Sequence, residues 1–218
     1  MSSLIGIGLY TYQEAARYSG LNIKNVYNFV NNKVANPRST LWTSEIGKLG
    51  ERNYLSFRDL AELRAIETLK KRGFSWQKIR EAAEYIKDQF HDNYPLSNGK
   101  IRTTDVKIFY DGKDLTSVIG KSQGNYSLRE VLNPLLHEIE YNSKNEPVRW
   151  YPYLKSRSIV LDPEYSQGKP ILKEYHIPTD IVADAYKIEK NYELVSRLYD
   201  VPITAIKTAI DFENKLAA

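Results

Sequence analysis

The sequence predicts a mainly α fold with a small β component (α+β). It is arranged as an N-terminal winged helix-turn-helix, a central β-hairpin segment and a C-terminal helix-turn-helix. Three observations predict it. Apolar residues recur at steps of three and four in segments of helical length toward both ends of the chain. Helix-start and helix-stop residues flank those segments. Between them, residues 100–110 are rich in β-branched and aromatic side chains and lead into Asp111-Gly112, a strong hairpin signal.

Thr11 with Glu14 three residues on reads as a capping box, and Gly20 suits the left-handed turn that ends the helix begun there. After Leu21 and Asn22, a short helix over about 23–30 carries the stripe Ile23, Val26, Phe29 and Val30. Periodicity then stops from Asn31 to Tyr54, where Pro37, Gly47 and Gly50 mark an irregular or hairpin segment. Ser56 caps a helix bearing Phe57, Leu60, Leu63, Ile66 and Leu69, and Gly73 closes it. Ser75 caps the next, with Trp76, Ile79, Ala83, Ile86 and Phe90 along one face.

Asp92, Asn93, Pro95, Ser97, Asn98 and Gly99 cluster in residues 91–100 and mark a boundary. Beyond it, residues 127–141 read as helical and 148–160 as extended. Thr179 opens a helix with Ile181, Ala185 and Ile188 on one face. A final pair, near 192–199 and 203–216, turns at residues 200–202. The expected domains are 1–95, 96–157 and 158–218.

Composition narrows the class. Of 218 residues, 42% are hydrophobic and 27% charged, as in ordinary globular proteins. The absence of cysteine excludes disulfides, thiolate metal sites and a cysteine nucleophile. No apolar run approaches the roughly 18 residues that span a bilayer. The first nine residues lack the basic stretch and cleavage signature of a secretory signal, so a cytoplasmic protein without membrane association is expected.

Charge is distributed unevenly. Residues 1–95 carry 14 Lys+Arg against 10 Asp+Glu, which accounts for the whole net charge of +4. Residues 180–216 hold five cations and seven anions, a balance that phosphate would repel.

A helix-turn-helix binds DNA because its second helix fits the major groove while its first braces on the backbone. The polar face of the second helix offers Lys24, Asn25, Tyr27, Asn28 and Asn31, with Asn22 and Lys33 at its ends and Thr11 at the start of the preceding helix. Asparagine pairs bidentately with adenine, and Lys24 reaches guanine or phosphate. The alternative is a solvated face in a chain where asparagine is frequent. The following loop mixes Arg38, Trp42, Lys48 and Arg52 with Thr40 and other hydroxyls. That chemistry suits phosphate contact by a wing, and a plain surface loop equally.

Leu9-Tyr10-Thr11-x-x-Glu14-Ala15-Ala16-x-x-x-Gly20-Leu21 resembles the opening of the MerR-type winged-helix domain. Leu55-Ser56-Phe57-x-Asp59-Leu60, continued by Leu69-Lys70-x-x-Gly73-Phe74-Ser75-x-x-x-Ile79-Arg80, resembles its later part. The resemblance covers about residues 9–88. It implies that 23–30 is a recognition helix and 36–52 a wing. Tyr27 stands where the family usually has arginine, and the family's long dimerisation helix does not follow, since Pro95 interrupts it.

A second resemblance lies in Ile159-Val160-Leu161-Asp162-Pro163, Gly168-Lys169-Pro170-Ile171, Ile177-Pro178, Leu198-Tyr199 and Ala209-Ile210-Asp211-Phe212-Glu213. These are similar to a small bacterial helix-turn-helix family often encoded beside PIN-like ribonuclease toxins. Glu174-Tyr175-His176 departs from that family's usual Gly-Thr-Arg. Together the two modules resemble antitoxins of the VapBC type. The resemblance implies an operator-binding autorepressor that dimerises and neutralises a PIN-like toxin. Charge assigns the C-terminal helices to protein partners, with Tyr192, Tyr199 and Phe212 either interface residues or core.

No enzyme signature competes. His91, His137 and His176 lack metal-ligand spacing, Gly6-x-Gly8 is no dinucleotide loop, and no nucleophile has a base. Neither catalysis nor a cofactor is expected. The alternatives to an antitoxin are a stand-alone MerR-like regulator and a protein-interaction adaptor.

Overall fold

A computed structural model of the chain describes residues 6–30, 41–71, 73–99, 101–103, 108–110, 113–114, 137–153 and 156–217. Two compact units are formed, Leu9–Val148 and a second made of Met1–Gly8 with Arg149–Ala218. The architecture is α+β, with seven α-helices among the described residues and small antiparallel sheets.

The N-terminal unit opens with α1 (Tyr12–Ser19). The Thr11 hydroxyl accepts the Glu14 N–H, the Glu14 carboxylate accepts the Thr11 N–H, and Gly20 ends the helix at φ +82°. In α2 (Ile23–Val30), the Asn22 side chain accepts the Lys24 N–H, and Val26, Phe29 and Val30 are buried. Ile23, expected in that stripe, is exposed instead.

β1 (Gly47–Leu49) and β2 (Arg52–Tyr54) pair antiparallel, and the Leu49–Arg52 pair leaves Gly50 and Glu51 as the loop. Gly50 sits at φ +61°, the first loop position, which a type II′ turn reserves for glycine. Tyr10 and Leu55 exchange two backbone hydrogen bonds of 2.9 and 2.8 Å. They fix the entry of α1 beside the exit of the hairpin.

α3 (Phe57–Lys71) is the centre of this unit. Its predicted stripe of Phe57, Leu60, Leu63, Ile66 and Leu69 is buried, but so are two carboxylates, Asp59 and Glu62. Asp59 completes a cap with Ser56, accepting its N–H at 2.7 Å while the Ser56 hydroxyl accepts the Asp59 N–H. It also accepts from Trp42 Nε1 (2.7 Å), the Ser44 hydroxyl (2.6 Å) and the Tyr94 hydroxyl (3.1 Å). Glu62 accepts the backbone N–H groups of Leu96 (2.9 Å) and Ser97 (2.8 Å).

These contacts correct the reading of residues 91–100 as a boundary. Tyr94, Leu96, Ser97 and Asn98 are buried against α3, and Gly99 donates its N–H to Asn145. Arg64 adds a fork to Glu138, with N–O distances of 3.1–3.2 Å.

α4 (Trp76–Phe90) starts at Ser75, whose hydroxyl accepts the Lys78 N–H, and buries Ile79, Ala83 and Ile86. Trp76 is only partly covered, lying on Phe29 at 5.2 Å with Lys70 over its ring.

β3 (Ile101–Thr103), β4 (Ile108–Tyr110) and β5 (Lys113–Asp114) form an antiparallel ladder, and Tyr110 pairs with Lys113 across a two-residue connection. Of the helix expected over 127–141, residues 127–136 lie outside the described residues. Ile139–Tyr141 is a strand, β6. Its β-branched and aromatic residues favour extended backbone, and the following turn is fixed by the Asn142 side chain accepting the Lys144 and Glu146 N–H groups. β7 (Pro147–Trp150) follows, and the division between the units falls within it.

In the C-terminal unit, Trp150 of β7 pairs with Leu161 of β8 (Ile159–Leu161). β8 pairs with β9 (Pro170–Leu172), which pairs with β10 (Ile177–Pro178), all antiparallel. Three helices pack on this sheet: α5 (Thr179–Glu189), α6 (Tyr192–Tyr199) and α7 (Ile203–Ala217). Ile159, Leu172, Val182, Val195, Val201, Ile206, Ala209 and Phe212 make one core. Each large aliphatic or aromatic side chain there contributes roughly 1.5–3 kcal/mol. The Asn191 side chain caps α6, and the α6–α7 turn is fixed by Ser196, whose hydroxyl donates to the Val201 carbonyl at 2.7 Å.

Candidate nucleic-acid interface

Within the N-terminal unit, α2 turns its apolar side inward and leaves Asn22, Lys24 and Tyr27 exposed, with Asn25 and Asn28 half-buried at the margin. The amphipathic spacing fixes that orientation, because Val26, Phe29 and Val30 can meet the core only when the polar residues face away. On the hairpin, Lys48 and Arg52 are exposed on neighbouring strands, with Glu51 at the tip. Asn31, Lys33, Arg38 and Thr40 lie outside the described residues.

The helices and the hairpin meet at a cleft of about 440 Å³, lined by Thr11, Tyr12, Gln13, Ile23, Tyr27, Glu51, Arg52 and Asn53. It brings together the start of α1, the exposed face of α2 and the wing. Tyr27, 49% exposed, sets its ring edge-on to Tyr12 with centroids 4.4 Å apart. Tyr12 is only 4% exposed. Burial, with Tyr27 and Asp59 nearby, pushes its hydroxyl up to about 12, so it remains a proton donor at neutral pH.

Two expected site residues belong elsewhere. Trp42, expected among the phosphate-contacting residues of the wing, is 1% exposed and is committed to Asp59. Its indole N–H needs a partner once buried, and the carboxylate supplies it. Phe212, expected as an interface residue, is 4% exposed and belongs to the C-terminal core. Thr11 borders the cleft, but its hydroxyl is engaged with Glu14.

Tyr192 and Tyr199 are half-buried against the C-terminal core, Tyr192 stacking on Tyr186 at 4.1 Å. The expected apolar face of α5 is also rotated. Val182 and Ala183 are buried, whereas Ile181 and Ile188 are exposed, Ile188 by 78%. Leu194 and Leu198 of α6 are exposed as well.

Sequence reading missed Tyr12, Gln13 and Asn53 as cleft residues. Only the three-dimensional closure of the hairpin beside α1 places them there. Among the described residues, no group of three or more His, Cys, Asp or Glu is placed to hold a metal, and no helix is long and apolar enough to cross a membrane.

No family model matches the chain, and no curated protein matches it. The crystal structure of Rv2018 from Mycobacterium tuberculosis has the same fold. The likeness covers 94% of this chain and 99% of that one, with a TM-score of 0.70 and 16% sequence identity.

Proposed function

We propose that this chain is a DNA-binding antitoxin. In this reading the N-terminal winged helix represses its own operator as a cytoplasmic homodimer, and the C-terminal unit neutralises a PIN-like ribonuclease toxin. The observation that carries the DNA reading is the cleft at which the start of α1, Ile23 and Tyr27 of α2 and Arg52 of the wing meet, with Lys24 exposed on α2 and Lys48 exposed on the hairpin. Base edges are read by amide and ammonium groups on a groove-sized helix, and phosphates by cations flanking it. The alternative of a regulator without a toxin is less favoured, because Ile181, Ile188, Leu194 and Leu198 are exposed on the C-terminal helices. Ile181 and Ile188 stand seven residues apart and Leu194 and Leu198 four apart, so each pair shares a helix face, and exposed apolar faces suit protein partners.

A mobility shift with DNA from upstream of the gene tests the first half, and co-purification with the product of the adjacent gene tests the second. Lys24→Ala, Asn25→Ala and Asn28→Ala should each weaken operator binding by about 1–3 kcal/mol, and should relax preference at one base position. Unchanged binding in all three variants removes α2 as the reading helix. Lys48→Ala and Arg52→Gln should weaken binding to every duplex alike. Each should make the plot of log affinity against log salt shallower by about one unit, as loss of a phosphate contact requires. A loss confined to the operator would reassign them to base contacts.

A further inference from the structure

The Tyr12 hydroxyl is buried and makes no hydrogen bond among the described residues. A hydroxyl shut away from water without a partner is unfavourable, and phenylalanine would fill the same space without that cost. The oxygen is therefore placed to gain from a ligand atom that accepts its proton.

Tyr12 forms part of the cleft between α1 and the hairpin, where Arg52, Asn53 and Gln13 offer side-chain donors. The first N–H groups of a helix have no partner within it, and the Thr11 hydroxyl takes that of Glu14. Those of Tyr12 and Gln13 remain at the positive end of the α1 dipole, beside the same cleft. Glu51 is the carboxylate on this lining, at the hairpin tip next to Arg52. The half-exposed Tyr27 ring lies edge-on against Tyr12, and Tyr27 and Asp59 are the titratable groups that act on its hydroxyl.

We propose that this cleft seats one backbone phosphate of the bound nucleic acid, and that the Tyr12 hydroxyl donates to it. The proposal rests on the DNA-binding reading and adds to it a sequence-independent clamp separate from the base-reading face of α2. A phosphate diester matches the lining because it only accepts hydrogen bonds and carries a single negative charge. The hydroxyl then exchanges an unmet state in the free protein for a charge-assisted bond in the complex.

The test is Tyr12→Phe in the full chain, read in two ways. Thermal unfolding of the free protein should show an unchanged or higher melting temperature. Fluorescence anisotropy with a labelled duplex from upstream of the gene, and with a scrambled duplex of equal length, should show about tenfold to 150-fold weaker binding to both, as for a lost hydrogen bond to a charged group. The salt slope should be unchanged by Tyr12→Phe, which removes no charge, and shallower by about one unit for Arg52→Gln.

If the wild type binds DNA and Tyr12→Phe binds both duplexes as tightly, the clamp is overturned while the DNA reading stands. If the wild type binds neither duplex, the DNA reading fails. Inorganic phosphate then decides the cleft: it should raise the melting temperature of the wild type above that in chloride of equal ionic strength, and less so in Tyr12→Phe. Equal shifts in both proteins, or none, overturn the clamp.

Discussion

Asp59→Ala is expected to lower the stability of the N-terminal unit by on the order of 3–5 kcal/mol, because several buried donors lose their shared acceptor at once. The Asp59 side chain is fully buried and is the common acceptor for Trp42, Ser44, Ser56 and Tyr94. Removing it takes the acceptor from Trp42 Nε1, the Ser56 N–H and the Tyr94 hydroxyl, while the Ser44 hydroxyl keeps the Tyr54 carbonyl at 3.2 Å. Each buried donor so orphaned costs about 1–3 kcal/mol, less whatever relaxation recovers. Asn in its place keeps one oxygen but turns an N–H pair toward other donors, so Asp59→Asn should also destabilise, by a smaller amount. Urea unfolding followed by tryptophan fluorescence checks this, since Trp42 reports directly on the network. A midpoint within experimental error of the wild type for Asp59→Ala would show that the network carries no net stability. The loop before α3 and the segment after α4 should loosen together, because Asp59 holds both.

How much of this was legible in the sequence depends on the range of the interaction. Local signals read true. The Thr11–Glu14 box, the Ser75 cap and the left-handed glycines at 20 and 73 depend on residues at most a few positions apart. The apolar stripe of α3 and the antiparallel pairing of Tyr110 with Lys113 were equally visible. The misreadings are long-range. Trp42 stands among hydroxyls and cations, and the carboxylate that draws it inward is 17 residues away. Residues 91–100 have the composition of a loop, and nothing in their own sequence reveals that Glu62, 34 and 35 residues back, accepts their N–H groups. Ile181 and Ile188 fit an apolar helical face by spacing, yet Val182 and Ala183 meet the core instead. Periodicity fixes that a face exists, and only the neighbouring elements decide which face is covered.

The same distinction applies to the candidate interface. The polar face of α2 follows from helical spacing alone, since its complement must enter the core. The cleft does not, because it exists only where the Tyr10–Leu55 bridge brings the hairpin beside α1. Residue chemistry on α2 was therefore readable in advance, and the contribution of Tyr12 was not.

Glu62 provides the second large effect, and its sign is opposite to that of most carboxylates. Burial, with Asp92 adding to it, pushes its pKa up from 4.5 to about 7, against the backbone N–H groups of Leu96 and Ser97, which pull it down. Between those two values the folded chain holds a proton that the unfolded chain has released. Stability then decreases as pH rises. The contribution is fully present below about pH 4.5 and is lost as pH rises through about 7. At 1.36 kcal/mol per unit of pKa, the whole change is on the order of 3 kcal/mol.

Urea unfolding of wild type and Glu62→Gln from pH 5 to pH 8 isolates it, because every other titrating group contributes to both. At pH 5 the Gln variant should be less stable, since its amide N–H group faces the Ser97 N–H where the second carboxyl oxygen now accepts. Toward pH 8 the wild type should lose stability relative to the variant, so the two curves converge or cross. Parallel curves over that range would mean that Glu62 is ionised alike in the folded and unfolded chain. The buried carboxyl would then be held by more than the two backbone donors of the docked segment.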